Sequence, residues 1–184
     1  MRTNDPATPG RRRAPWGATL LLLVACAPAP APATAPVPPP ASASSSPFNP
    51  TDTAWIQLMI PMNEQVLPAL DLAPPALAPF AAELRASHGE ELARLKRLRD
   101  RAGLSGDNPH AGHQMPGLVS EADLAGLRLD PSGLPKKLRE HLEQSALLAQ
   151  GERDSGADPE TRELAASIGA ARAAQVARLA AVAP

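Results

Sequence analysis

Residues 80–95, FAAELRASHGEELARL, and residues 164–179, LAASIGAARAAQVARL, decide how the rest of this chain is read. The two stretches lie 84 residues apart and share a hydrophobic frame that ends in Ala-Arg-Leu. Each sets its apolar residues three and four apart, the spacing of one face of an α-helix. A helix with a single apolar stripe must bury it against other helices, and the separation is too long for a solenoid repeat. The pair therefore predicts two related helical hairpins docked as an all-α four-helix bundle.

Working outward, Trp55, Leu58, Met59, Met62 and Val66 continue the helical spacing towards the N-terminus, with Asp52 near the start. Pro61 and Pro68 interrupt that stretch, and each removes a backbone donor, so a kink or a late helix start is expected. The second stripe is Leu77, Phe80, Leu84, His88, Leu92, Leu95 and Leu98, between Pro74-Pro75 and Gly103. After a loop rich in Gly, Asn and His, Ser120 and Asp123 read as a helix-start cap for a short helix to Leu127. The third long helix begins within 131–135 and carries Leu134, Leu138, His141 with Leu142, Ser145 and Leu148. Asp158-Pro159 supplies an N-cap and first-turn proline for the fourth, with Leu164, Ile168, Ala171, Val176 and Leu179 turned inward. With two Trp, two Phe and no Tyr in 184 residues, the core must be aliphatic.

The N-terminal segment has a different character. Arg11-Arg12-Arg13 precede an uncharged run that ends at Cys26, the layout of a secretory signal and too short to span a bilayer. Leu23-Val24-Ala25-Cys26 resembles the bacterial lipobox, in which the cysteine is diacylated and becomes the mature N-terminus. Two acyl chains hold a protein on a membrane where one does not. Residues 27–50, APAPAPATAPVPPPASASSSPFNP, cannot bury enough surface to fold and favour extended polyproline. The expected organisation is thus a signal peptide over 1–25, a lipidated Cys26 with a disordered Pro/Ala tether over 26–50, and the bundle over 51–184. The expected location is the outer face of the cell membrane. As Cys26 is the single cysteine, no intramolecular disulfide can form. The net charge of −1 becomes −4 without residues 1–25, which carry four arginines and one aspartate. That balance gives no basic footprint for nucleic acid.

Asp52, Met59-Ile60-Pro61, Gln65, the loop Gly112-His113-Gln114-Met115-Pro116-Gly117, Ser120 and His141-Leu142-Glu143 together resemble the domain of unknown function 305 family. The resemblance spans nearly all of the bundle and implies an exported, ferritin-like fold built from two related halves. Some members are associated with copper, and typical members carry a His-His pair in each half. Met62-Asn63 stands where the first pair would be, and His141-Leu142 where the second would be. His88 and Arg172 stand where the longer helix of each half often has glutamine.

Imidazole and thioether donors suit copper. The candidate ligands are His110, His113 and Met115 on the loop, with inward His88 and His141 on the helices. A core histidine bonded to a neighbour such as Glu91 is the alternative for His88, and packing is the default role of Met59 and Met62. No histidine has a glutamate three residues before it, as a ferritin-type di-iron centre requires. Nucleophile elbows, Walker loops and dinucleotide fingerprints are also missing from the sequence, so no enzyme activity is expected. Two functions remain open: a membrane-anchored bundle that weakly binds copper, or a surface structural module that has lost the metal. The residues name no protein partner.

Overall fold

Just after the buried Phe48, Asn49 caps the first helix. Its side chain accepts from the Asp52 backbone N–H at 3.0 Å while the Asp52 carboxylate accepts from the Asn49 N–H at 2.6 Å, a reciprocal cap. The helix it starts, α1, runs Pro50–Leu70. The computed structural model describes residues 46–183. The signal sequence, Cys26 and most of the tether lie outside the described residues. After α1 come α2 (Ala78–Arg101), the short α3 (Glu121–Leu129), a single 3-10 turn (Pro131–Gly133), α4 (Leu134–Ser155) and α5 (Pro159–Val182). Among the described residues there is no strand.

The late start allowed for α1 is corrected: the helix begins at Pro50 and continues through Pro61 and Pro68. Each proline forfeits one backbone bond, but Trp55, Ile56 and Met59 before Pro61, and Met62, Val66 and Ala69 after it, are buried against the other helices. Tertiary burial on both sides of the proline outweighs the local loss. The starts of α3 and α5 follow the capping signals. Ser120 and Asp123 form a second reciprocal cap, and the Asp158 carboxylate accepts from the Thr161 N–H at 2.8 Å with Pro159 in the first turn.

The helices pair as two antiparallel hairpins, α1 with α2 and α4 with α5, and α1 also lies against α4. The start of α1 meets the end of α4, where the Asn49 amide donates to the Ser155 carbonyl at 2.8 Å. The end of α2 meets the start of α5, where Arg101 pairs with Asp158 and Glu160. At the other end Arg178 of α5 reaches Glu83 of α2. The order is therefore up, down, down, up, and the 102–133 connection returns the chain from one end of the bundle to the other. A single long crossover of this kind is the ferritin-like arrangement.

Two apolar clusters fill the interior. One contains Val66, Phe80, Leu84, Leu134, Leu138, Leu142 and Leu179. The other contains Trp55, Ile56, Met59, Met62, Leu95, Leu164 and Ile168. Between them each long helix contributes a buried polar side chain: Asn63 from α1, His88 and Glu91 from α2, His141 and Ser145 from α4, and Arg172 from α5. The inward stripes need two corrections here. Glu91 is buried where Leu92 was expected and Leu92 is half-buried, while Arg172 takes the interior between the half-buried Ala171 and Val176. No described helix is long and apolar enough to cross a membrane.

Candidate functional site

The buried polar layer is organised around two imidazoles. His88 occupies the α2 stripe after Leu84, and its Nδ1 lies 2.9 Å from the Leu84 carbonyl one turn earlier. His141 enters from α4, with its Nδ1 3.0 Å from the carbonyl of Gly117 in the crossover. The two Nε2 atoms face each other at 2.9 Å. Both side chains are fully excluded from solvent. The expected partnership of His88 with Glu91 is not formed, because Glu91 is taken by Arg172.

Gly117 makes this approach available. Its φ of 77° lies in the left-handed region. A Cβ there would stand 2.6 Å from the Cβ of Gln144. A side chain at that position would drive the crossover off α4, so glycine is what lets its carbonyl reach His141.

Counting protons shows what the pair lacks. Each carbonyl can only accept, so each Nδ1 must carry a hydrogen, and a neutral imidazole has just one. Both Nε2 atoms are then bare, and two lone pairs meet at 2.9 Å. A third proton would relieve the contact. Burial first, and the Arg172 guanidinium second, oppose it by pushing His88 well below the usual imidazole range and His141 down to about 3. Carbonyls on Nδ1 that aim Nε2 at a common point are also the outer contacts that orient imidazoles towards a metal.

The arrangement fits a cation in donor chemistry and orientation, and limits which one. Among the described residues no group of three or more His, Cys, Asp or Glu side chains comes together as a metal cage. Two imidazoles alone suit a soft monovalent ion better than zinc, which takes four ligands. Metal–imidazole bonds are about 2.0 Å. Entry of an ion therefore requires the two rings to part from their 2.9 Å contact. A further buried acceptor, Asn63 Oδ1, has no donor in the described structure, although the Asn63 amide N–H donates to the Met59 carbonyl at 3.0 Å.

Beside the histidines, Arg172 is fully buried, and four of its five N–H donors are engaged. It donates to both Glu91 oxygens at 3.0 and 2.5 Å, to Ser145 at 2.9 Å and to Gln175 at 2.9 Å. The ion pair crosses from α5 to α2 and closes the layer. Arg172 lies 84 residues after His88, at the matching position of the second hairpin. At this matched position one half thus carries an imidazole and the other a guanidinium.

The five expected ligands separate into two groups. His88 and His141 meet in the interior; His113 and Met115 line an open groove of about 860 Å³ formed by 112–124 and the faces of α1 and α4. His110 neighbours His113, with ring centroids 6.2 Å apart, but is not among the groove's lining residues. Met59 and Met62 are core residues, as their spacing suggested. Met115 packs half-buried on the cluster that contains Trp55 and Met59. The loop's link to the buried pair is the Gly117 carbonyl, two residues beyond Met115. Asn63, Glu91 and Arg172 complete the layer without having been candidates. In the sequence Asn63 and Arg172 stood out only as departures from the family's His and Gln positions, and Glu91 only as a neighbour for His88.

No protein-family model matches the sequence, and no curated protein matches it. In three dimensions the chain is similar to the crystal structure of a DUF305 fragment from Deinococcus radiodurans. The TM-score is 0.64 over 74% of this chain and 97% of that one, at 19% identity. The likeness is one of fold: the all-helical, DUF305-like architecture expected from the sequence is the one observed.

Proposed function

We propose that this protein is an exported, membrane-tethered DUF305-type lipoprotein whose bundle holds one copper(I) ion between His88 and His141, for buffering or handover rather than catalysis. The observation that carries the reading is the pair of Nε2 atoms facing each other at 2.9 Å in the buried interior, with both Nδ1 atoms held at carbonyls. Two neutral imidazoles are acceptable ligands for copper(I), and apolar clusters above and below exclude water. The bound ion would supply stored soft-metal charge and no acid–base chemistry. His113 and Met115, on the groove, are suited to receive an ion before it moves inward. Anchoring would come from diacylated Cys26, and the Pro/Ala tether would hold the bundle away from the bilayer.

The test is copper retention by the purified full chain, under reducing conditions, against a competing chelator. Near-stoichiometric copper that is lost in His141→Ala and kept in a His113→Ala, Met115→Ala double variant is expected. Loss only in the loop variant would overturn the buried site in favour of the loop. No retention by the unaltered chain would sink copper binding altogether. The second reading, a metal-free structural module, is favoured by the 2.9 Å separation of the two Nε2 atoms, which admits no ion unless the rings part. It requires copper to leave the melting temperature unchanged, since a ligand selective for the folded state must raise it.

A further inference from the structure

A second cluster of ionisable groups lies away from the histidines, at the end of the bundle where the two hairpins are joined. Asp52 of α1 is fully buried, and its carboxylate accepts from three backbone N–H groups. One belongs to Asn49 at 2.6 Å; the others belong to Ala157 and Asp158 in the α4–α5 turn, at 3.1 Å. This one side chain thus caps its own helix and binds the opposite hairpin. Glu152 of α4 lies at the same turn, its carboxyl against Gly156, next to the Ala157 N–H that donates to Asp52. Glu152 is 1% exposed, and neither of its oxygens has a donor among the described residues.

An ionised Glu152 would be a buried charge with nothing to hold it, next to a second carboxylate. The surrounding charges do not supply a partner. Asp158, which caps α5, adds a third carboxylate and is itself bound by Arg101 of α2. Arg101 is also committed to Glu160 of α5. Arg162 of α5 is exposed, with its Nε donating to the Arg153 carbonyl at 3.0 Å. Gly156 closes the remaining side, since a Cβ there would stand 2.1 Å from Glu152 Oε1. As a neutral acid, however, Glu152 carries an O–H that can be donated to Asp52, whose oxygens already collect donors.

We propose that Asp52 and Glu152 form a one-proton carboxyl pair, with Glu152 donating to Asp52, and that this pair is a pH-sensitive latch between the start of α1 and the α4–α5 turn. The proton shared is the ligand of the site. Its removal leaves two facing carboxylates and no added donor, so the turn loses hold of Asp52 under alkaline conditions. The acidity of Glu152 agrees with the geometry: burial first, then the hydrogen bond and charge of Asp52, raise it to about 8. Asp52, held by the backbone donors, is lowered instead despite its burial. Two adjacent carboxyl groups driven apart in this way behave as one coupled acid. The latch involves neither histidine, so it stands or falls separately from copper binding.

The experiment follows the side-chain carboxyl carbons by NMR on the metal-free full chain from pH 4 to pH 9.5, with melting temperatures for the unaltered protein and Glu152→Gln. The Glu152 carbon is expected to titrate near 8. The melting temperature should fall by roughly 3 to 5 °C per pH unit from about 6.5 to 8 in the unaltered chain and stay level in Glu152→Gln. Protection of the Ala157 and Asp158 amides, corrected for intrinsic exchange, should drop over the same interval. A Glu152 carbon that titrates wholly below pH 5.5 overturns the proposal, as does a Glu152→Gln variant that loses stability in parallel with the unaltered chain. Should Glu152→Gln not fold, the carbon titration of the unaltered chain decides alone.

Discussion

Arg172 is the residue that most sharply separates position from propensity. A guanidinium in the middle of an Ala-rich helix reads as a solvated charge, yet it is the largest fully buried side chain of the bundle. Its four hydrogen bonds explain how it survives there, but a buried ion pair offsets its own desolvation and little more. Arg172→Ala should cost about 3 to 5 kcal/mol in chemical denaturation, because Glu91 is left charged with only the Ser87 hydroxyl donating to it. Replacing both partners by apolar residues, Glu91→Leu with Arg172→Met, should bring stability back to within about 1 kcal/mol of the original. A double variant as unstable as the single would show that the pair contributes net stability. Glu91 and Arg172 could be seen in the sequence as charges and not as a pair, because they lie 81 residues apart and no local rule connects them.

At the scale of elements, the caps of α3 and α5 were legible, whereas the Asn49 cap of α1, assigned to the tether, and the helix through two prolines were not. Asn49-x-x-Asp52, Ser120-x-x-Asp123 and Asp158-Pro159 are local chemistry, in which a side chain satisfies amides within a few residues of itself. Asn49 has a second duty, since its amide also donates to Ser155 across the hairpins. Asn49→Ala should therefore destabilise the fold by about 1 to 2 kcal/mol, at or above the usual loss of a cap. Asn49→Ser, which restores the cap without the longer reach, should recover only part of it. Equal stability of the serine and asparagine forms would show that the Ser155 contact contributes nothing. Pro61 and Pro68 predicted a kink or a late start because the local cost is real; the packing of α1 on two neighbours offsets it.

For the whole molecule, the two buried acid–base sites set opposite limits on stability. His88 and His141 are depressed in the fold, so the unfolded chain takes up their protons first, and stability falls as pH drops below the ordinary imidazole value of 6.5. Glu152 is raised from 4.5 to about 8, so the folded chain holds its proton longer, and stability falls as pH rises across that interval. Between 4.5 and 6.5 two imidazoles outweigh one carboxyl. The metal-free protein should thus be most stable near pH 6.5 and lose about 1.4 kcal/mol per pH unit above it until the Glu152 proton is gone. Urea midpoints collected across pH 4 to 9 check the position of the maximum; a monotonic rise to pH 9 would contradict the assignment of Glu152.

By itself the sequence determined the helices, their order, the caps of α3 and α5 and the architecture of two related hairpins, because helical period and capping act over a few residues. It also supplied both inward histidines, one on each of two stripes. Only the tertiary structure decided that these rings touch, that Arg172 and Glu91 close the layer around them, and that the loop ligands lie apart on a groove. The physical reason is that burial of a polar group depends on partners brought from distant segments. A buried proton or ion depends on several such groups meeting within about 3 Å, a distance that residue spacing along one helix does not encode.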